Sequence, residues 1–338
     1  MLVEPWFAGS HRIWAEGLER HSRHNISLLT SEPVGWRATF EKSASVLAGR
    51  VGAPPDVLLA SSMMDLPGFL AQSQFGSVPT LLYLHENQLT YDRSKPDLIR
   101  GAVNWRSVQA ADRVAFNSRF HLEDFAAALP MLDVESSQVE LVRSKSVVLP
   151  VGLELTGLEQ DRRDEGPPVV LWNHRWEGDK DPDTFVDAIL AVADLQFRLM
   201  VTGNGAGLAR LLPALTARFG DRIIHAGHAP VAEYRALLTR ADLVVSTARQ
   251  EFFGVSIAEA MAAGAVPLVP NRLAYPELLG PALSNCLYER GNLSEGLASL
   301  VTDEGARNSY RPLARAAGRR FGWAEVAPGY DELIDSMV

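Results

Sequence analysis

Strand-length apolar runs recur along this chain, each followed by a segment of helical length, and the rhythm starts over once. In the first half the runs are residues 2–4, 25–30, 56–60, 80–85 and 113–117, with an amphipathic stretch at 12–21 and a polar helical stretch at 96–111. In the second half, strands at 169–173, 197–202, 222–225, 243–246 and 265–269 alternate with helices at 183–193, 208–219, 231–240 and 256–263. Short runs without in-out alternation are buried on both faces, so they predict parallel sheets covered by crossover helices. Between the halves, residues 156–168 (TGLEQDRRDEGPP) are charged, poor in apolar side chains and closed by Pro-Pro, which marks a domain boundary. The expected architecture is α/β: two Rossmann-like, doubly wound domains with an interdomain cleft. Open parallel sheets bind ligands at the carboxyl ends of their strands, so chemistry is sought at strand-to-loop junctions.

Composition narrows the class. A chain of 338 residues has room for two cores, and 47% hydrophobic with 22% charged residues excludes disorder and coiled coil. Cys286 is the only cysteine, which removes disulfide frameworks and Cys-based zinc clusters and suits a reducing compartment. No apolar run approaches the roughly 18 residues of a membrane helix. The start, MLVEPWFAGSHR, has neither the basic end nor the apolar stretch of a secretory signal, so a cytoplasmic location with no membrane partner is expected. Net charge is −9, and after Pro150 there are 18 basic against 25 acidic residues. That argues against indiscriminate nucleic-acid coating while leaving room for a local basic patch.

Four clusters can carry chemistry. Residues 249–260 read RQEFFGVSIAEA, with Glu251 in a loop and Glu259 one turn inside a helix that Gly264 ends. Gly254 permits close backbone approach, and the free N–H groups of the helix start, around Phe253, Gly254 and Val255, can hold a phosphate oxygen. The pair suits a sugar nucleotide, with phosphate on the helix start and hydroxyls on the carboxylates; two acids favouring a helix dipole is the plainer alternative. Residues 172–182, WNHRWEGDKDP, follow the first strand of the second half. Arg175 offers a planar fork and Lys180 a compact ammonium, either of which can neutralise a departing diphosphate. Asp179 and Asp181 look superficially like a metal-binding acidic pair, but cations in the same loop can do a divalent metal's work, and no metal ligand set is assigned. His85-Glu86-Asn87-Gln88 closes the TLLYL run, where His85 either orients substrate or is a buried structural histidine. Gly9-Ser10-His11 forms the turn after the first strand, and Gly203 opens the GNGAG loop, which does not fit G-x-G-x-x-G. No Walker A loop, nucleophile elbow or H-E-x-x-H occurs.

Taken together, Glu251-x7-Glu259 with Arg175 and Lys180 upstream resembles the retaining GT-B glycosyltransferases of family four. More narrowly, YLHENQLTY (83–91), VAFNSRFH (114–121), WNHRWEGDKDP (172–182), STARQEFFGVSIAEAM (246–261) and LAYPEL (273–278) resemble the tRNA-queuosine α-mannosyltransferase group, over nearly the whole chain. The resemblance implies an N-terminal acceptor-side domain at 1–155, a donor domain at 156–322 and a C-terminal helix at 323–338 that packs back on the first domain. It implies that Arg175 and Lys180 bind the donor diphosphate, Glu259 the ribose and Glu251 the transferred sugar. His85 would lie beside the reacting sugar, and Gly9, Ser10, His11 and Gly203 would complete the donor site. Trp36, Arg37, Glu86, Asn87, Gln88 and Asn117 are the implied acceptor contacts. The implied reaction moves mannose from GDP-mannose to queuosine in the anticodon of tRNA(Asp), with retention and no cofactor or divalent metal; its partners are the nucleotide sugar and the tRNA. A related enzyme acting on a lipid, glycan or small metabolite, or a non-catalytic sugar-nucleotide or RNA binding protein, is the competing expectation.

Overall fold

The structure, a computed structural model, describes residues 1–159 and 165–338; part of the predicted boundary segment 156–168 lies outside the described residues. The chain divides into two compact units, Met1–Glu154 with Trp323–Val338, and Leu155–Gly322.

The first unit holds a six-stranded sheet in the order β2-β1-β3-β4-β5-β6. Its strands are β1 (Leu2–Glu4), β2 (Leu28–Thr30), β3 (Leu58–Ser61), β4 (Thr80–Leu84), β5 (Arg113–Phe116) and β6 (Ser146–Val148), and every pairing is parallel. Val3 pairs with Leu29 on one side and Ala60 on the other, so the first strand is central and buried on both faces. The apolar runs predicted β1 to β5, with β2 and β3 shorter at their first ends, whereas β6 is not among them. The helices Trp36–Ala48, Leu66–Ser73, Arg119–Ala128 and Ser136–Lys145, together with β6, complete the crossovers. Their apolar stripes are weak in sequence: Ser136–Lys145 buries only Val139 and Val142. The helix Gly9–His21 begins three residues before the expected 12–21 because the chain enters it directly from extended Ala8.

The C-terminal helix Trp323–Asp335 is held in this unit by its aromatic side chains. The Trp323 indole fills the space that side chains at Gly17 and Gly152 would occupy. The Tyr330 hydroxyl accepts from Trp14 Nε1 (3.0 Å) and donates to the Pro150 carbonyl (3.0 Å).

The second unit repeats the plan with β7 (Val169–Trp172), β8 (Arg198–Thr202), β9 (Ile223–Gly227), β10 (Leu243–Val245), β11 (Val266–Pro270) and β12 (Leu287–Tyr288), in the order β12-β11-β10-β7-β8-β9. Again every pairing is parallel. From β7 the chain winds outward through β8 and β9, then returns to build β10 on the opposite side. The loops after β7 and β10 therefore diverge from adjacent strand ends, which is a topological switch point. The helix Pro182–Ala191 starts with Asp181 as cap and Pro182 in its first turn, a position where proline's missing N–H costs nothing.

The helix Val255–Ala262 follows β10 and is braced from behind by Glu304–Arg319. The two approach so closely that a Cβ on Gly318 would stand 2.7 Å from the Ala258 carbonyl oxygen and overlap the Ala262 backbone. Among the described residues no helix is long and apolar enough to cross a membrane.

This contact makes a sign-reversed prediction. Alanine normally favours a helix over glycine by up to about 1 kcal/mol, but Gly318→Ala must push two backbones apart, at a cost of about 1–3 kcal/mol. The urea midpoint should fall with an unchanged slope. A raised midpoint would mean that the helices have room to spare.

Candidate active site

The loop after β7 and the loop after β10 are stapled together backbone to side chain. Thr247 Oγ1 donates to the carbonyls of Lys180 (2.8 Å) and Asp181 (2.9 Å), and the Arg249 N–H donates to the Asp179 carbonyl (2.8 Å). Across this seam Lys180 Nζ donates to Glu251 Oε2 (3.0 Å) and to the Gln250 carbonyl (3.0 Å). Lys180 and Glu251 are both largely buried, so this pair is weakly screened and its geometry is well defined. Two residues from the sequence clusters, 71 positions apart, thus meet in one ion pair.

Gly254 caps the helix Val255–Ala262 with φ +100°, a left-handed conformation that a side chain would strain. The cap has no side-chain hydrogen bond, and the Phe253 N–H is 3.4 Å from Glu251 Oε1. Phe253, Gly254 and Val255 therefore bring a helix start, with its partial positive charge, beside the Lys180–Glu251 pair. One turn further in, Glu259 is partly buried and accepts from the Tyr234 hydroxyl (3.0 Å), which lies 3.0 Å from Asn173 Nδ2. Burial pushes the Glu259 carboxyl up to about 7, against the opposing pull of the tyrosine hydrogen bond and Arg235. Burial, Lys180 and Arg175 all hold the neighbouring His174 imidazole well below its usual range. Asn173 Oδ1, His174 Nε2 and Gln250 Nε2 are buried without hydrogen-bond partners, and all three belong to these two loops. Buried polar atoms rarely stay unpaired, so these three are candidates for hydrogen bonds to a polar ligand.

Arg175 is half-exposed and pairs with Glu177 (2.8 Å) and Asp179 (3.1 Å), while Gly203 donates its N–H to the Gly227 carbonyl (3.0 Å) at the end of β8. Asp181 is occupied twice over, as the cap of the helix behind it and by both sides of the Arg249 guanidinium (2.9 Å each). The aspartates of the DKD segment are thus committed to structural ion pairs.

In the first unit, Gly9, Ser10 and His11 form the first turn of the helix after β1, and His85 stands just beyond β4. His11 and His85 meet with ring centroids 4.0 Å apart. The carboxylate between them is Glu4, fully buried at the end of β1, which no motif had flagged. The signal was available: an acid ending an otherwise apolar strand, directly before Pro5. Glu4 Oε1 accepts the Trp6 N–H (2.9 Å), and Oε2 lies 3.2 Å from His11 Nδ1 and 3.7 Å from His85 Nε2. Among the described residues these three bring donor atoms of metal-binding type within 4.8 Å of one another. Two imidazoles sharing one tetrahedral ion at about 2.0–2.1 Å would hold their ring centres roughly 5 Å apart. The observed stack is tighter and fits a carboxylate–imidazole hydrogen bond better.

The implied acceptor residues divide. Trp36 is partly exposed at a helix start, with the guanidinium carbons of Arg37 (4.9 Å) and Arg100 (5.1 Å) over its ring. Glu86 and Gln88 are joined side chain to side chain (2.9 Å). Asn87 instead folds its own turn, exchanging hydrogen bonds with Thr90, and Asn117 ties the His85 carbonyl (2.8 Å) to the His121 ring (2.9 Å). Both asparagines are buried and act on the shape of the loop after β4. Tyr234, Asn173, Arg249 and Glu4 are the site residues that motif reading missed.

Comparison with known proteins identifies the family and the fold. Residues 1–153 match the family model described as tRNA-queuosine alpha-mannosyltransferase N-terminal, and residues 158–317 match Glycosyl transferases group 1. The tRNA-queuosine alpha-mannosyltransferase of Drosophila melanogaster is 31% identical over 309 residues, covering 82% of this chain and 81% of its own. The D-inositol 3-phosphate glycosyltransferase of Xylanimonas cellulosilytica is 30% identical over 65% of this chain and 56% of its own length. Among solved structures, Anabaena Alr3699/HepE in complex with UDP and glucose aligns with a TM-score of 0.70 at 17% identity, covering 99% of both chains. S. aureus TarM aligns at 0.63 and 14% identity, over 82% of this chain and 55% of that one. These likenesses fix the fold as GT-B. With both halves matched in order and a relative above 30% identity along most of its length, the chain belongs to the tRNA-queuosine alpha-mannosyltransferase family.

Proposed function

We propose that this protein transfers mannose from GDP-mannose to queuosine in tRNA(Asp), with retention at the anomeric carbon and without a divalent metal, in the cytoplasm where its acceptor resides. The observation that carries the reading is the Lys180–Glu251 pair beside an open helix start, at the switch point of a group 1 glycosyl transferase domain. A nucleoside diphosphate leaving group gathers negative charge as the glycosidic bond breaks. A fixed ammonium and helix N–H groups stabilise that charge without reorganising, which is where electrostatic catalysis is strongest. Lys180 supplies the buried cation, Arg175 a second and more exposed one, and the helix start the N–H groups. Glu251, held by Lys180, is oriented to accept hydroxyls of the transferred sugar, and Glu259 to accept those of the ribose. For Gly9, Ser10, His11 and His85 of the first unit we propose a part in donor binding. Trp36, Arg37, Glu86 and Gln88 serve the tRNA, whose flipped or splayed bases stack on exposed aromatics beside arginine. Asn87 and Asn117 support the acceptor loop from within. The deciding experiment incubates the protein with GDP-mannose and queuosine-containing tRNA(Asp) and weighs the released nucleosides. One hexose on queuosine is expected; efficient transfer to a lipid or small metabolite with none to tRNA would overturn the acceptor.

Lys180→Ala removes the buried cation and should lower kcat on the order of 10²–10³-fold, whereas exposed Arg175→Ala should cost less. Steady-state kinetics on folded variants checks the order; equal losses would place the diphosphate elsewhere.

Glu259 generates a pH prediction. Its carboxyl sits near 7 in the ligand-free protein, and ribose hydroxyls donating to it favour the ionised form. Nucleotide binding should therefore release a proton near neutrality and tighten as pH rises from 6 to 8. Calorimetry in buffers of different ionisation enthalpy measures this, and Glu259→Gln should abolish the proton release. The same shift acts on stability with the opposite sign. A carboxyl raised on folding contributes stability that is complete below the ordinary value of 4.5 and lost as pH climbs through 7.

A further inference from the structure

Among the described residues, Glu4 is the one carboxylate with no exposed surface that the reaction scheme above leaves unused, and its surroundings are unusual. Its Oε2 addresses two imidazoles at once, His11 Nδ1 at 3.2 Å and His85 Nε2 at 3.7 Å, while the two rings stack at 4.0 Å with 35° between their planes. His85 Nε2 is buried without any other partner. Trp14 and Tyr83 pack edge-on against the His85 ring, at 4.5 and 4.7 Å. We propose that Glu4 is a positioning residue that keeps one proton more on His11 than on His85, turning a pair of identical side chains into a cationic donor and a neutral acceptor. The assignment rests on the glycosyltransferase reading for its purpose, but not for its geometry.

The argument is one of charge. Two imidazolium rings in van der Waals contact in a dry site repel, so one of them stays neutral, and a single carboxylate compensates a single cation. The shorter contact selects His11 as that cation. Burial alone would lower it, yet the charge and hydrogen bond of Glu4, with Glu86 adding, raise it above its ordinary value. Burial and the neighbouring rings of His11 and His121 hold His85 well below its own. Tyr83 and Tyr330, the other titratable groups near these rings, are themselves pushed far up by burial and stay neutral. Environments that drive two titratable groups apart assign them different tasks. With Nδ1 spent on Glu4, His11 offers Nε2–H, which suits a phosphate oxygen. With Nε2 turned to Glu4, His85 offers the Nδ1 lone pair, which suits a sugar hydroxyl.

The test reads the histidines and the reaction separately. Nitrogen-15 spectra of the ligand-free full chain, assigned through His11→Asn and His85→Asn, should show two separate titrations, His11 above its usual midpoint and His85 below, with the neutral His85 proton on Nε2. This needs no substrate, so it stands or falls whether or not tRNA is the acceptor. In Glu4→Gln the midpoints should converge, kcat should fall on the order of 10²-fold, and the pH–rate profile should narrow from both sides. A purely structural role would lower activity with the limbs unmoved. Coincident midpoints in the unaltered protein, or an equimolar bound metal ion that Glu4→Gln removes, would overturn the proposal.

Discussion

A parallel strand can be joined to its neighbour only by a crossover, so all strand ends of one kind collect on one edge of the sheet. In the second unit that constraint brings the exits of β7 and β10 side by side. Everything chemical there follows from it. The two loops lie close enough for Thr247 to bond two carbonyls of the other loop and for Lys180 to reach Glu251. Without the adjacency of β7 and β10, residues 71 positions apart would have no reason to meet, and the helix start at Gly254 would face nothing in particular.

The acids and bases of this loop pair are distributed by burial. Arg249 and Asp181 form a two-pronged pair that locks the turn, and Arg175 shares the exposed side with Glu177 and Asp179. Those exposed pairs are screened and contribute little to stability. Lys180 and Glu251 sit deeper, where the same charges interact more strongly and where a ligand's charge would be felt most. The His174 imidazole is held well below its usual range by burial first, with Lys180 and Arg175 adding. The protein has concentrated positive field beside the helix start and kept the carboxylate that answers it within hydrogen-bond reach.

Much of this was legible in the sequence because parallel strands buried on both faces leave unbroken apolar runs, as TLLYL and VVLW do. Arg175, Lys180 and Glu251 stood out as charged residues in loops that follow such runs, and Glu259 as an acid eight residues beyond Glu251 inside the next helix. Tyr234 and Asn173 did not stand out. Each looks like an ordinary helix or loop residue until the fold brings it to Glu259. Glu4 hid for the opposite reason: in sequence it looks like the polar end of a short strand, and only the placement of His85 two strands along the order β1-β3-β4 shows what it faces. Asn87 and Asn117 mislead in turn, since a polar residue in a motif can serve the loop's shape as readily as its ligand.

Glu4 and Glu259 show how one side chain is given two characters. Glu4 is fully buried and shares its space with two imidazoles and a backbone N–H, whereas Glu259 is partly buried and has a tyrosine hydroxyl and the charge of Arg235. A buried carboxylate stays charged when a cation shares its cost of desolvation; otherwise it drifts toward protonation until a ligand supplies donors. Glu4 is thus placed to bias its two imidazole neighbours, while Glu259 is left poised near neutrality. A residue poised in this way gains the most from hydroxyl groups that arrive with a ligand, because their hydrogen bonds favour the charged form that burial disfavours. The surroundings of each acid, rather than its identity, decide whether it organises the site or responds to what enters it.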